Sequence, residues 1–106
     1  MSGPLLSHEV RTRPGRREDV LAAFRRHAAA VHAEPGCLLC AAHAGEVRVT
    51  VVENWADQAA LDAHSAGPVL AALGGEIADA LAGPGDVAVL EPVPAGEPEK
   101  GQLPNT

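Results

Sequence analysis

The alternation of side chains over residues 47–55 constrains the fold of this chain more than any other part of its sequence. Every second residue from Val47 is apolar until Glu53 and Trp55 close the pattern, and this is the period of a β-strand with one buried face. A short alanine-rich stretch with helical character follows and ends near His64. The pattern therefore predicts a strand that turns directly into a helix, with the chain's single tryptophan and an imidazole at the two ends of the turn. Because the chain has so few aromatic residues, this pairing indicates a pocket.

The rest of the chain supplies further strands and helices with clear stop signals. Apolar residues recur at near-helical spacing from Glu18 to His32, with arginines on the other side of the helix they define. The Glu-Pro-Gly motif at 34–36 ends this helix, because the residue before proline is pushed out of the helical region. Asp57 is an N-cap candidate for the next helix. The predicted elements are, in chain order, a strand over 5–13, a helix over 18–32, strands over 38–43 and 47–55, helices over 58–64 and 68–81, and a strand over 87–90.

This order of elements predicts an α+β domain with the ferredoxin-like βαββαβ topology and an antiparallel sheet, when the two consecutive helices are taken as one kinked unit. The domain covers residues 4–93, and residues 94–106, rich in proline, glycine and charge, are predicted to form a flexible C-terminal tail. Helices cover one face of such a sheet and leave the other face open. We therefore expect a homodimer whose two sheets face each other and close into a dimeric α/β barrel.

The composition excludes several classes of function. The formal net charge is −6, and the arginine pairs between residues 11 and 26 fit a solvated helix face better than a nucleic-acid-binding patch. No apolar run approaches the ~18 to 20 residues of a membrane-spanning helix, and the N-terminus has no secretory signal pattern. We therefore expect a cytoplasmic protein that binds neither nucleic acid nor membrane.

Cys37 and Cys40 form a C-x-x-C motif, which is found in redox sites and zinc sites. The surrounding residues are typical of a strand, whereas a redox motif places its first cysteine at a helix N-terminus. Strand residues three apart point to opposite faces, so the two side chains are not expected to form a disulfide or share a metal. The motif is therefore interpreted as two structural thiols, with no metal site.

Four short motifs, taken together, link the chain to a known family. They are Arg13-Pro14-Gly15 after the first strand, Glu34-Pro35-Gly36-Cys37-Leu38 before the second, Glu53-Asn54-Trp55 at the end of the third, and Ala60-Leu61-Asp62-Ala63-His64 on the helix that follows. Each motif is short, but their order and spacing are fairly specific. Over roughly residues 5–93 the chain resembles the antibiotic biosynthesis monooxygenase family of dimeric α/β barrel proteins.

The resemblance implies a homodimer with a pocket in each subunit between the helices and the sheet. Several family members oxidise polycyclic phenols, anthrones or quinols with dioxygen and without metal or flavin. The implied function is therefore a monooxygenase that needs no cofactor and acts on a small aromatic substrate. A non-catalytic, small-molecule-binding or stress-associated dimer of the same fold is the alternative. Haem degradation ranks third, because the axial histidine of the haem-degrading relatives falls on Gly74 here.

Two histidines are the candidate catalytic bases, since the usual imidazole pKa of ~6.5 lies near working pH. The resemblance places His8 where haem-degrading relatives project an asparagine into the pocket, so it could abstract a proton or bond a substrate oxygen. A strand histidine at a barrel or dimer surface is the other interpretation. His64 occupies the family's recurring histidine position. It either faces the pocket or stabilises the helix C-terminus as a cation.

Four further residues are predicted to bind the substrate: Trp55, Asn54, Phe24 and Leu73. Trp55 could stack on a flat ring, and the Asn54 amide could orient a carbonyl or a phenol. Adjacent strand residues face opposite ways, so these two reach one pocket only if a bulge intervenes. An indole that plugs the end of the sheet or the dimer seam is the alternative for Trp55.

Two further residues, Cys40 and Glu53, bear on the polar groups of the predicted pocket. Cys40 stands where many relatives carry a tyrosine, which removes a phenol that could bond the substrate. Glu53 is expected on the same side of the strand as Trp55, paired with an arginine such as Arg48 or Arg11.

Overall fold

Four strands form a single antiparallel sheet in which the strands, numbered along the chain, lie in the order 2-3-1-4, with helices packed on one face. The computed structural model describes residues 3–104, and it has the ferredoxin-like α+β topology that the sequence predicts. None of the helices in that range is long and apolar enough to cross a membrane. The elements are β1 (Leu5–Arg11), α1 (Arg17–His32), β2 (Cys37–Ala44), β3 (Arg48–Trp55), α2 (Gln58–Ser65), α3 (Pro68–Ile77) and β4 (Asp86–Leu90).

The central strand β1 determines which side chains face the helices. Its register sets His8 opposite Val51 of β3 and Val87 of β4. Directly opposed residues of antiparallel strands share a face, so His8 lies on the helix-covered face with these two valines. Two apolar clusters fill the space between that face and the helices, one around Trp55 and one around Val49.

Local signals explain where the helices begin and end. The Asp57 carboxylate accepts a hydrogen bond of 2.8 Å from the backbone N–H of Ala60, so Asp57 caps α2 as predicted. Gly36 adopts a φ of +81°, which lets the chain turn from α1 into β2. The last helix is shorter than predicted, because α3 ends at Ile77 and residues 78–80 tighten into a 3₁₀ turn.

A β-bulge at the start of β2 overturns the prediction that the two cysteines point to opposite faces. Cys37 pairs with Trp55, and Cys40 pairs with Glu53. These partners are two residues apart on β3 and share a face, so both cysteines lie on the helix-covered face. The extra residue, Leu38, interrupts the alternation that the prediction assumed. Both thiols are nevertheless free.

None of the helices described over residues 3–104 packs on the second face of the sheet. Val52 lies between Ser7 and Ala41 near the middle of this face and is partly exposed. The edge strand β4 is exposed along its whole length. Val89, which lies on the helix-covered face of this strand, is 75% exposed. Apolar surface of this kind is what a partner subunit would cover.

The residues after β4 form turns but neither a helix nor a strand over 91–104. The last two residues of the predicted tail, 105 and 106, lie outside the described residues. The domain boundary at residue 93 and the flexibility of the tail therefore stay predictions.

Candidate functional site

A cavity of about 290 Å³ lies between the helix-covered face of the sheet and helices α1 and α3. The sheet contributes His8, Val51 and Glu53 to its wall, α1 contributes Phe24, and α3 contributes Leu73. The volume is close to the smallest of the ~300–1,000 Å³ pockets that bind small molecules. Apolar side chains dominate the wall, so the few polar groups in it are the candidates for orienting a ligand.

His64 is the polar group whose position is fixed most firmly. It lies in the last turn of α2, it is 5% exposed, and its ring stacks on Trp55 with the ring centres 4.5 Å apart. Its Nδ1 lies 2.8 Å from Oε1 of Glu34. A carboxylate oxygen only accepts hydrogen bonds, so Nδ1 is the donor, and in the neutral form of the ring the lone pair is on Nε2.

Glu53 lies on the other side of the same imidazole. Its Oε1 is 3.6 Å from Nε2 of His64 and accepts a hydrogen bond of 3.1 Å from the indole N–H of Trp55. The carboxylate is almost fully buried and also lines the cavity. The imidazole therefore lies between two carboxylates, those of Glu34 and Glu53.

The expected pairing of Glu53 with an arginine is wrong. Arg48 instead forms an ion pair with Glu9, at 2.9 Å between Nη1 and Oε1. Arg48 and Glu9 lie on the second face of the sheet, whereas Glu53 is on the helix-covered face with Trp55. The strand alternation that puts Glu53 beside Trp55 thus also keeps it away from Arg48.

His8 lies in the wall of the same cavity, next to the glycine that precedes β4. A Cβ atom built on Gly85 would lie 2.9 Å from Nε2 of His8 and 3.2 Å from a methyl group of Val10. The absence of a side chain at residue 85 therefore leaves space for the imidazole. His8, His64 and Glu53 also line a second, smaller cavity of about 150 Å³ toward β4.

The structure brings four of the six predicted site residues to the main cavity and leaves two outside it. His8, His64, Phe24 and Leu73 line the wall. Trp55 is fully buried behind His64, outside the cavity wall, and it contacts the ring of His64 and the carboxylate of Glu53. Asn54 is also fully buried, but it lies on the opposite face of the strand. β3 has no bulge at this point, so the two neighbours do not share a site.

Sequence reasoning missed Glu34 as part of the site. The Glu-Pro-Gly motif explains the end of α1 through its proline and glycine alone, so the carboxylate received no role. One signal was present in the sequence. The motif at 34–38 that resembles the family begins with a glutamate, although the turn itself does not require one. What no pattern gives is that Glu34 meets His64, because thirty residues separate them.

The two thiols next to this network are protonated at neutral pH. Burial, assisted by the charge of Glu53, raises the pKa of the Cys40 thiol to about 12. Burial, followed by the charge of Glu34, raises the pKa of Cys37 as well. Cys40 lines the cavity and therefore presents an S–H group to it. Among residues 3–104, no group of three or more His, Cys, Asp or Glu side chains could hold a metal ion.

The fold and the site together define a ferredoxin-like α+β protein with an apolar cavity between its helices and its sheet. The model of the antibiotic biosynthesis monooxygenase family matches residues 6–73, which is more than half of the chain. The chain therefore belongs to the antibiotic biosynthesis monooxygenase family. No curated protein matches its sequence significantly.

Solved structures of similar proteins agree with this fold. A crystal structure of an antibiotic biosynthesis monooxygenase is 24% identical, with a TM-score of 0.77, and the match covers 86% of this chain and 99% of that one. A protein of unknown function from Nitrosomonas europaea is 26% identical, with a TM-score of 0.76 and coverages of 91% and 98%. Rv0793 from Mycobacterium tuberculosis is 21% identical, with a TM-score of 0.77 and coverages of 89% and 98%.

The raised thiol pKa values predict slow chemical modification of the native protein. Near pH 8, a thiol with a pKa of about 12 has roughly a thousandth of the thiolate of an ordinary thiol, so the Cys37→Ala variant should react very slowly with a chromogenic disulfide reagent. The Cys40→Ala variant, which keeps the less buried Cys37, should react faster. The rate for Cys37→Ala should rise as the pH increases from about 9 toward 12. Equal rates for the two native variants would contradict the assignment, and unfolding in guanidinium should make both react fast.

Proposed function

We propose that this protein is a cofactor-independent monooxygenase that oxidises a polycyclic phenol, anthrone or quinol with dioxygen. The observation that carries the proposal is the buried His64, which lines an apolar cavity with its Nδ1 bound to Glu34 and its Nε2 3.6 Å from Oε1 of Glu53. This arrangement resembles the carboxylate-oriented imidazole bases of many enzymes, in which the carboxylate fixes the tautomer. Family membership supports the reaction class, and the substrate class is part of the proposal.

The reaction needs little from the protein beyond a base and a dry cavity. His64 Nε2 takes a proton from the phenol, or from the ring methylene opposite the carbonyl of an anthrone, and the resulting anion passes electrons directly to dioxygen. For an anthrone, one oxygen atom of dioxygen becomes the new carbonyl oxygen and the other leaves as water with the two displaced hydrogens. No external reductant is required. His64, held between the two carboxylates, keeps the proton until it is returned.

His8 is the second polar group in the proposed site. It lines the same cavity as His64, from strand β1. We assign it to form a hydrogen bond with the substrate oxygen on which negative charge develops. Phe24 and Leu73 supply apolar contact for the ring system. Trp55 is a positioning residue in this scheme, because it packs behind His64 and also binds Glu53.

A second candidate is a small-molecule-binding protein of the same fold that performs no chemistry. The observation that favours it is the weak polar lining: Cys40 presents a protonated thiol, and both Trp55 and Asn54 lie outside the cavity wall. Under this alternative the cavity binds an aromatic ligand, and the imidazoles contribute only to its affinity.

The partner that we propose is a second copy of this chain, with the two sheets facing each other as a dimeric barrel. The support is the face of the sheet on which no described helix packs, where the partly exposed Val52 lies between Ser7 and Ala41, together with the exposed edge strand β4. We also place the protein in the cytoplasm. Its two cysteines share a face of the sheet and are free thiols, which suits a reducing compartment.

Oxygen consumption by metal-free protein tests the proposed reaction directly. The protein should consume one dioxygen for each anthrone oxidised, and His64→Ala should lower kcat by roughly 10²-fold or more because the base is lost. His27→Ala is the matched control, since this histidine binds Glu76 at the surface of the helices, does not line the cavity, and should leave the rate unchanged. No uptake above the buffer rate over a panel of anthrones and quinols would favour the non-catalytic alternative. A greater loss in His8→Ala than in His64→Ala would move the base to His8.

The hydrogen bond from His64 to Glu34 predicts a specific effect of Glu34→Gln. The glutamine amide can donate to Nδ1, which favours the tautomer with its proton on Nε2 and removes the lone pair that acts as base. We expect kcat to fall by roughly 10²-fold with little change in KM. Glu46→Gln, in the exposed hairpin before β3, is the control. A variant that raises KM and keeps kcat would assign Glu34 to ligand binding instead.

The sheet-to-sheet dimer predicts that one charge in the middle of the uncovered face separates the subunits. Sedimentation should give the wild type twice the 10.8 kDa mass of one chain. Val52→Lys should give a folded monomer, because an unpaired ammonium would be buried in the interface. Ala72→Lys, on an exposed position of α3, should remain dimeric. A dimer in the Val52→Lys variant would place the interface elsewhere, and circular dichroism would verify that both variants are folded.

A further inference from the structure

The wall of the main cavity lacks a side chain at one position of α3, where the wall also meets solvent. Gly74 lines the cavity and is exposed. A Cβ atom built on it would meet no atom of the described residues within 4 Å. Close packing therefore does not require glycine at this position, and a larger side chain would have space.

The neighbours of Gly74 on the same side of the helix are apolar and form the roof of the cavity. Leu70, Leu73 and Ile77 all line it, at four before, one before and three after Gly74. These spacings define one continuous stripe along a helix. A side chain at residue 74 would complete the stripe, so glycine leaves an opening in an otherwise apolar roof.

The neighbouring Gly75 shows that the two glycines are not equivalent. It is equally exposed, and a Cβ on it would also meet no described atom within 4 Å, but it does not line the cavity. Glycine inside a helix lowers stability relative to alanine. The pair therefore weakens α3 without a steric reason, and only Gly74 has a place in the cavity wall.

Gly85, the other glycine in the wall, has a different explanation. A Cβ on Gly85 would come within 2.9 Å of His8, so packing against the imidazole accounts for the missing side chain. Gly74 has no such neighbour among the described residues. The opening in the wall is therefore assigned to residue 74.

We propose that Gly74 is a specificity-determining residue, through whose opening the far end of a flat ligand of three fused rings extends from the cavity to solvent. A cavity of about 290 Å³ is at the lower limit for small-molecule pockets, and three fused rings are longer than two, so the gap at residue 74 gives the far end of the longer ligand a place to extend. The choice of ligand class rests on the proposed function. The steric effect of residue 74 does not require turnover.

Ligand binding without reaction tests this inference. Hydroxyanthraquinone, with three fused rings, and naphthol, with two, are titrated into wild-type protein, Gly74→Leu and Gly75→Leu. Quenching of the fluorescence of Trp55, the single tryptophan, reports binding, because the indole stacks on the cavity residue His64. The two variants introduce the same residue at adjacent exposed positions of α3, so their effects on helix stability are matched.

Gly74→Leu should weaken the binding of hydroxyanthraquinone by about tenfold or more, and it should change the affinity for naphthol by less than about threefold. Gly75→Leu should bind both ligands as the wild type does. Undiminished binding of hydroxyanthraquinone by Gly74→Leu overturns the inference. So do equal losses for both ligands, equal losses in both variants, and a wild type that does not bind the three-ring ligand.

The same titration separates this inference from the proposed function. If the wild type binds the ligands selectively but shows no oxygen uptake with anthrones, the monooxygenase proposal fails and the role of Gly74 stands. If oxygen uptake occurs and Gly74→Leu retains wild-type affinity for three-ring ligands, the monooxygenase proposal stands and the role of Gly74 fails.

Discussion

The hydrogen bond between His64 and Glu34 is the interaction on which the site depends, because it joins parts of the chain that are distant in sequence. Glu34 belongs to the turn after α1, and His64 belongs to the last turn of α2. Trp55, at the end of β3, stacks on the same ring. Removing one partner of a buried hydrogen bond costs about 1–3 kcal/mol, since the other group is left unsatisfied. One imidazole thus fixes α2 against the sheet and forms one end of the cavity.

The sheet separates the chemistry from the proposed assembly by the alternation of its residues. On the helix-covered face, His8 and Glu53 project into the cavity. On the other face, Arg48 pairs with Glu9 beside the partly exposed Val52. A substitution on one face can therefore change the proposed interface without touching the cavity wall, because neighbouring residues of a strand point in opposite directions.

Most of the fold was predictable because its signals are local. Alternation gave the strands, apolar spacing gave α1, and Asp57 marked the start of α2 at the residue where the structure has it. The exception is the start of β2, where the pairing with β3 breaks the alternation. The bulge at Leu38 brings Cys37 and Cys40 to one face, although strict alternation separates them. The residues around this bulge do not differ from those of a regular strand, because the pairing register is determined together with the partner strand.

The sequence by itself determined the order of elements, the faces of the strands and the presence of candidate histidines. Each of these follows from the chemistry of residues within a few positions of one another. Only the tertiary structure decided that Glu34 and Glu53 lie on either side of His64, that Trp55 lies behind the ring instead of in the cavity wall, and that Gly74 leaves the roof open. These contacts join residues from different turns, helices and strands, so no local pattern encodes them. Burial between the packed elements determines both their geometry and their strength.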